Sequence, residues 1–244
     1  MSGHSKWANI KHKKEKTDAQ RAKIFTKLGR ELAVAVKEGG PDPESNSKLK
    51  DAIAKAKSNN MPNDNINRCI QKAAGGNDDA NYEDITYEGY GPNGVAVIVE
   101  AMTENKNRTA GDVRHYFDKF GGNLGTNGCV SWMFDKKGVI LIDGADADED
   151  AVMMDALDAG AEDFSAEDGI FEILTDPDAF SEVREALEQK GYSFLDASVQ
   201  MIPQNTVAID DEKQRLMMNK LLENLEDSDD VQEVYHNWAN PDEE

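Results

Sequence analysis

The sequence predicts an α+β multidomain protein: an N-terminal three-helix domain followed by two ferredoxin-like α/β domains, one inserted in the other. Three observations predict it. Residues 17–75 carry only the 3.6-residue periodicity of amphipathic helices, interrupted by glycine and proline. From residue 85 onward, strand-like runs alternate with helical ones. The segment 138–199 holds a complete βαββαβ series, while the βαβ runs on either side of it are each too short to enclose a core. Joined, those flanks make a second βαββαβ domain, with the first inserted at its central hairpin loop. The boundaries read as 1–76 for a basic arm and helical domain, 77–135 plus 205–240 for the discontinuous domain, and 136–204 for the inserted acidic domain. An alternative layout treats 207–244 as a tail docked on the body.

Residues 1–16 follow neither period. Gly3, Asn9 and the charge run Lys11–Lys16 suggest a flexible arm that orders on binding. Thr17 then reads as an N-cap, with Gln20 completing a capping box. The helix that follows gathers Ile24, Phe25, Leu28, Leu32, Ala35 and Val36 on one face and places Lys23, Lys27, Arg30 and Lys37 opposite. Gly39-Gly40-Pro41 ends it. A second helix over 45–60 repeats the spacing with Leu49, Ala52, Ile53 and Ala56, and stops before Pro62. A third, over 63–74, does so with Ile66, Cys69, Ile70 and Ala73. A polar linker follows.

The second half opens with a short strand at Ile85–Tyr87 and the turn-rich run YEGYGPNG. The apolar run Val95–Thr103 is a buried strand, and a polar loop leads to a helix from Thr109 whose core face is Val113, Tyr116, Phe117 and Phe120. After GGNLGTNG, Cys129–Phe134 reads as another strand. The inserted series has strands at 138–143, 162–164, 170–175 and 193–199, and helices at 148–159 and 179–190. Val207–Ile209, a helix over 211–226 and a strand Val231–Tyr235 finish the chain.

Charge is distributed unevenly. The 244 residues carry a net −21, yet residues 1–30 hold nine Lys/Arg against two acids, a net of +7. Residues 1–75 reach +8, whereas 136–204 has eighteen acids against four bases. A basic end on an acidic body suits a polyanion at that end and is repelled by it elsewhere. No apolar run approaches a membrane span, and the lysine-rich N-terminus lacks the apolar core of a secretory signal. Cys69 and Cys129 stand far apart with no partner motif, as in a reduced cytoplasmic protein.

Two elements are candidates for the contact. In the arm, Lys6, Lys11, Lys13, Lys14 and Lys16 fit phosphate neutralisation, with Trp7 and His12 interleaved as stacking rings. Lys23, Lys27 and Arg30 extend the basic surface onto the first helix. Lysine-rich chemistry of this kind gives affinity without sharp base reading. The second candidate is the loop Asn105, Lys106, Asn107 and Arg108, set between a buried strand and a helix N-terminus where an anion is favoured. The glycines of 121–128 suggest a phosphate loop, but no Lys-Ser/Thr follows and the run enters a strand, so a turn with positive φ is expected. No nucleophile, metalloprotease or CxxC motif occurs, which points to a non-enzyme without cofactor or metal. The acidic insertion reads either as a solvated surface or as a face for a basic protein.

The segments GHSKWANIKHKK (3–14), KIFTKLGRELAVAVKEGG (23–40), NNMP (59–62), YEGYGPNG (87–94), ENKNRT (104–109), GGNLGTNG (121–128), DAGAED (158–163) and DVQEVYHN (230–237) closely resemble the YebC/PmpR family across nearly the whole chain. The resemblance implies a cytoplasmic three-domain protein with no enzyme activity. Members are described as transcriptional regulators that bind DNA. Relatives, including a mitochondrial translational activator of cytochrome oxidase, act on translation at the ribosome. By that resemblance the GHSKW arm and the ENKNRT loop are the functional positions, and DNA and ribosomal RNA both stand as targets.

Overall fold

A computed structural model describes residues 18–75, 81–167, 169–239 and 241. Its helices are α1 (Asp18–Gly39), α2 (Ser47–Ser58), α3 (Asn63–Ala74), α4 (Lys106–Lys119), α5 (Glu149–Asp158), α6 (Phe180–Gln189) and α7 (Glu212–Asp227). Its strands are β1 (Glu83–Tyr90), β2 (Ala96–Thr103), β3 (Asn123–Leu124), β4 (Phe134–Asp143), β5 (Asp163–Glu167), β6 (Ile170–Thr175), β7 (Phe194–Pro203) and β8 (Val231–His236). They form two four-stranded antiparallel sheets, ordered β3-β1-β2-β8 and β5-β6-β4-β7. The fold is α+β, as the alternation predicts. The chain gathers into two compact units: residues 18–30, 81–135 and 202–241 in one, and 31–75 with 136–201 in the other.

In the first unit, β1 and β2 make a long hairpin from Glu83↔Thr103 to Tyr90↔Ala96. Its turn places Asn93 at φ 56° and Gly94 at φ 75°, conformations suited to those residues. Strand β2 is central and buried on both faces, which is why VAVIVEAM reads as a continuous apolar run. Helix α4 carries the chain from β2 past β1 to β3, so β2 and β3 run parallel with β1 between them. Gly89 permits that pairing, because a Cβ there would lie 2.6 Å from the Asn123 carbonyl. Val113 and Phe117 of α4 pack with Val97 and Val99 of β2 and with Met218, Leu221 and Leu225 of α7 in one core.

Three strand expectations change in this unit. Ile85–Tyr87 is the middle of the eight-residue β1. Cys129–Phe134 is not a strand. The Val130 and Ser131 N–H groups turn toward the Glu88 carboxylate instead of a neighbouring strand, a single helical turn covers Ser131–Met133, and β4 begins at Phe134. Val207–Ile209 reduces to one parallel bridge, Val207 to Trp238, with Ile209 fully buried beside it. The helix expected from Thr109 starts three residues earlier, because Asn105 caps it by accepting from the Arg108 N–H at 3.1 Å.

In the second unit, β4-α5-β5-β6-α6-β7 gives the βαββαβ order, with β4 and β6 at the centre of the sheet. Asp148 caps α5 by accepting from the Ala151 N–H at 2.9 Å. Ile140, Ile142 and Ile173 of the sheet pack against Val152 of α5 and Val183 and Leu187 of α6. Asn46 ties α1 to α2: its amide donates to the Ala35 and Gly40 carbonyls at 2.8 Å each, and its carbonyl accepts from the Leu49 N–H at 3.0 Å. Gly39 leaves room for it, since a Cβ there would fall 2.6 Å from the Asn46 amide nitrogen. Helix α2 joins α6 through Asp51, which accepts from Arg184 at 3.2 Å and from Ser181, and through Lys50 to Glu185 at 2.9 Å.

Candidate nucleic-acid interface

Lys23, Lys27 and Arg30 lie at i, i+4 and i+7 on α1, so their side chains share one stripe. The sequence predicts that this stripe faces outward, toward a partner. The structure corrects that expectation: the stripe meets the C-terminal end of α7, where carbonyls that have no partner within the helix and the acids Glu226, Asp227, Asp229 and Asp230 concentrate negative charge. Lys23 pairs with the Asp227 carboxylate and donates to its carbonyl at 3.4 Å. Lys27 donates to the Glu226 carbonyl at 2.7 Å. Arg30 donates to the Asp229 carbonyl at 2.7 Å, to Asp230 at 3.0 Å and to the Met102 carbonyl at 3.3 Å. Its guanidinium also lies 5.1 Å from the centre of the Tyr82 ring.

The 104–109 loop reaches the same carboxylate. Arg108 donates to Asp230 at 2.7 Å, and the Thr109 hydroxyl lies 2.9 Å from both Asp230 and Thr103. Burial pushes the Asp230 carboxyl up, but the hydrogen bonds from Arg108, Thr109 and Arg30 outweigh it and hold the group below the usual carboxylate range. Lys106 pairs with Glu83 at 2.5 Å, and Asn107 is exposed in the first turn of α4. The structure thus brings together Arg30 and Arg108, which the sequence singled out separately, on an aspartate it did not. The signal for Asp230 was an acid immediately ahead of an apolar strand.

These cations are not equally committed. Arg30 retains 16% of its side-chain exposure and Asp230 11%, whereas Arg108 keeps 57%. Lys23 and Lys106 form exposed pairs, which contribute little and exchange partners readily. Arg30 is therefore held among largely buried partners, whereas Lys23, Lys106 and Arg108 sit in more exposed pairs. Lys6, Trp7, Lys11, His12, Lys13, Lys14 and Lys16 lie outside the described residues, as does Thr17 of the expected capping box.

The 121–128 run holds the short strand β3 between turns, with Gly121 at φ 79° and Gly128 at φ 86°. Its N–H cradle is already filled. The buried Glu88 carboxylate accepts from the N–H groups of Gly128, Val130 and Ser131 at 2.7, 2.9 and 2.8 Å. Burial again pushes this carboxyl up, and the three backbone donors bring it down overall. A phosphate has no place there. Among the described residues no group of three or more His, Cys, Asp or Glu could hold a metal ion, and no helix is long and apolar enough to cross a membrane. Cys69 and Cys129 remain thiols, and burial pushes that of Cys129 up.

Two family models match the chain: the TACO1/YebC N-terminal domain over residues 5–76, and the TACO1/YebC second and third domain over residues 82–238. A protein of Acetivibrio thermocellus named "Probable transcriptional regulatory protein" is 69% identical over 239 residues, covering 98% of this chain and 99% of that relative. One of the same name from Ruminiclostridium cellulolyticum is 64% identical over 244 residues, covering 100% and 98%. A crystal structure of a conserved hypothetical protein from Aquifex aeolicus is 46% identical, with a TM-score of 0.81 over 92% of each chain.

Proposed function

Because this chain belongs to the TACO1/YebC family, we propose that it is a non-enzymatic, cytoplasmic regulator of gene expression that binds nucleic acid through residues 1–76. The observation that supports this reading is the charge partition: a +7 segment of thirty residues on a chain of −21. With Lys23, Lys27 and Arg30 engaged by the end of α7, the weight of phosphate contact falls on Lys6, Lys11, Lys13, Lys14 and Lys16. Lys106 and Arg108 add a second contact from the exposed first turn of α4. Relatives named as transcriptional regulators support DNA as the target. Deleting residues 1–16 should collapse nucleic-acid affinity and flatten the dependence of log K on log salt by roughly 0.7–0.9 for each phosphate that is no longer neutralised. Unchanged affinity and slope would discard the reading.

A second reading is a ribosome-associated translation factor. Lysines with Trp7 as the single tryptophan of the arm suit structured RNA better than base-specific DNA readout. Crosslinking in cells followed by sequencing of the attached nucleic acid separates the two. Enrichment of large-subunit ribosomal RNA without promoter DNA removes the transcription reading, and the reverse removes the translation reading. In either case residues 136–204 are proposed to face the ribosome or another protein, their acidic surface keeping that segment away from the polyanion.

A further inference from the structure

Residues 120–134 contain no charged side chain, in a chain where 31% of residues are charged. Within that run Trp132 stands 66% exposed. Its presentation is fixed. The indole Nε1 donates to the Cys129 carbonyl at 3.1 Å, and the Tyr90 hydroxyl donates to the same carbonyl at 3.2 Å. The backbone on either side is held by the buried Glu88 carboxylate through Gly128, Val130 and Ser131. The ring's one polar atom is therefore satisfied internally, and what it offers outward is a π-face already ordered by folding.

A donor-free aromatic face takes a flat partner. The same loop exposes Asn123, Thr126 and Asn127, whose groups suit the edges of a planar heterocycle. Gly125 and Gly128 leave backbone uncovered beside them. Phosphate is excluded because Glu88 fills the N–H cradle, and the absence of acids in this run lets a polyanion approach a chain that otherwise repels it. We infer that Trp132 and the 121–128 loop form a stacking site for an unpaired nucleobase of single-stranded nucleic acid. The site rests on the nucleic-acid reading above and adds to it a contact remote from the arm in sequence, with base chemistry instead of phosphate chemistry.

The test uses the full chain, a labelled 12-nucleotide RNA of mixed sequence, the DNA of the same sequence, and the duplex of each. Trp132→Ala should weaken binding of the single strands roughly 5- to 150-fold, the range of one stacked base. Trp132→Phe should recover most of that loss. Duplex affinity, salt slope and thermal midpoint should not move, because stacking carries no charge and the ring is exposed. In a Trp7→Phe background, where Trp132 and the buried Trp238 both emit, single strands should quench the emission, the quenching should vanish when Trp132→Phe is added, and the strand whose binding depends more on Trp132 identifies RNA or DNA as the source of the base. Equal single-strand binding by Trp132→Ala and the parent overturns the site, leaving the ring to a protein partner. Deletion of residues 1–16, run in parallel, tells the failures apart. If that deletion weakens binding and Trp132→Ala does not, the arm stands and the base site falls; if the parent binds no strand, both fall.

Discussion

Removing the carboxylate that accepts from Arg30, Arg108, Thr103 and Thr109 takes one acceptor from each of these four residues. Asp230→Ala should therefore lower unfolding free energy by about 2–4 kcal/mol, since it removes the counter-charge of a largely buried guanidinium. Arg108→Ala, at a more exposed position, should cost about 1 kcal/mol or less. Denaturant unfolding of the two variants checks the order; equal losses would mean that the network is not centred on Asp230. The same groups set a pH window. Burial pulls the His236 imidazole down to about 4 from an ordinary 6.5, and Glu88 and Asp230 also sit below their ordinary values. In each case the unfolded chain binds more protons over the interval, so these contributions are complete above about pH 6.5 and decline as pH falls. The thermal midpoint should be level from pH 7 to 8 and drop between 6.5 and 4 as His236 titrates. His236→Asn should flatten that decline. Little of this was legible at the level of single residues: nothing in the sequence marks Glu88 and Asp230 apart from the chain's other acids, and their burial distinguishes them.

Elements were far more legible, because a helix declares itself by period and cap. Asn63–Ala74 is observed with the bounds the spacing predicts, and Asp148 and Asp211 cap α5 and α7 at the residues where the sequence begins those helices. What the sequence hid was non-local. Cys129–Phe134 has the composition of a strand but turns its Val130 and Ser131 N–H groups to Glu88, forty and more residues earlier. The helix expected from Thr109 begins earlier because Asn105 caps it, while the Thr109 hydroxyl binds Asp230 and Thr103. Two glycines test how elements fit. At Gly89 a Cβ meets the Asn123 carbonyl at 2.6 Å and the Phe117 ring at 2.8 Å, so Gly89→Ala should prise β3 from β1 and cost about 1–3 kcal/mol. At Gly111, within α4, a Cβ meets open space, and Gly111→Ala should stabilise by about 0.5–1 kcal/mol. Thermal midpoints moving in the same direction would contradict this assignment of the two positions.

At the scale of the molecule, the sequence showed an interrupted architecture and a basic end, and the structure shows where the described part of that end is tethered. Lys23 and Arg30 are held by residues 204 and 200 positions further along. Those partners come after the inserted acidic segment, in the final stretch of the chain. Synthesis therefore delivers the basic stripe first and its anchors last. Until Glu226–Asp230 emerges, Lys23, Lys27, Arg30 and Arg108 lack the carboxylates and carbonyls that fix them, and a nascent or prematurely terminated chain presents a loose cationic segment instead of a set one. Setting these side chains thus waits on residues made about two hundred positions after the stripe itself.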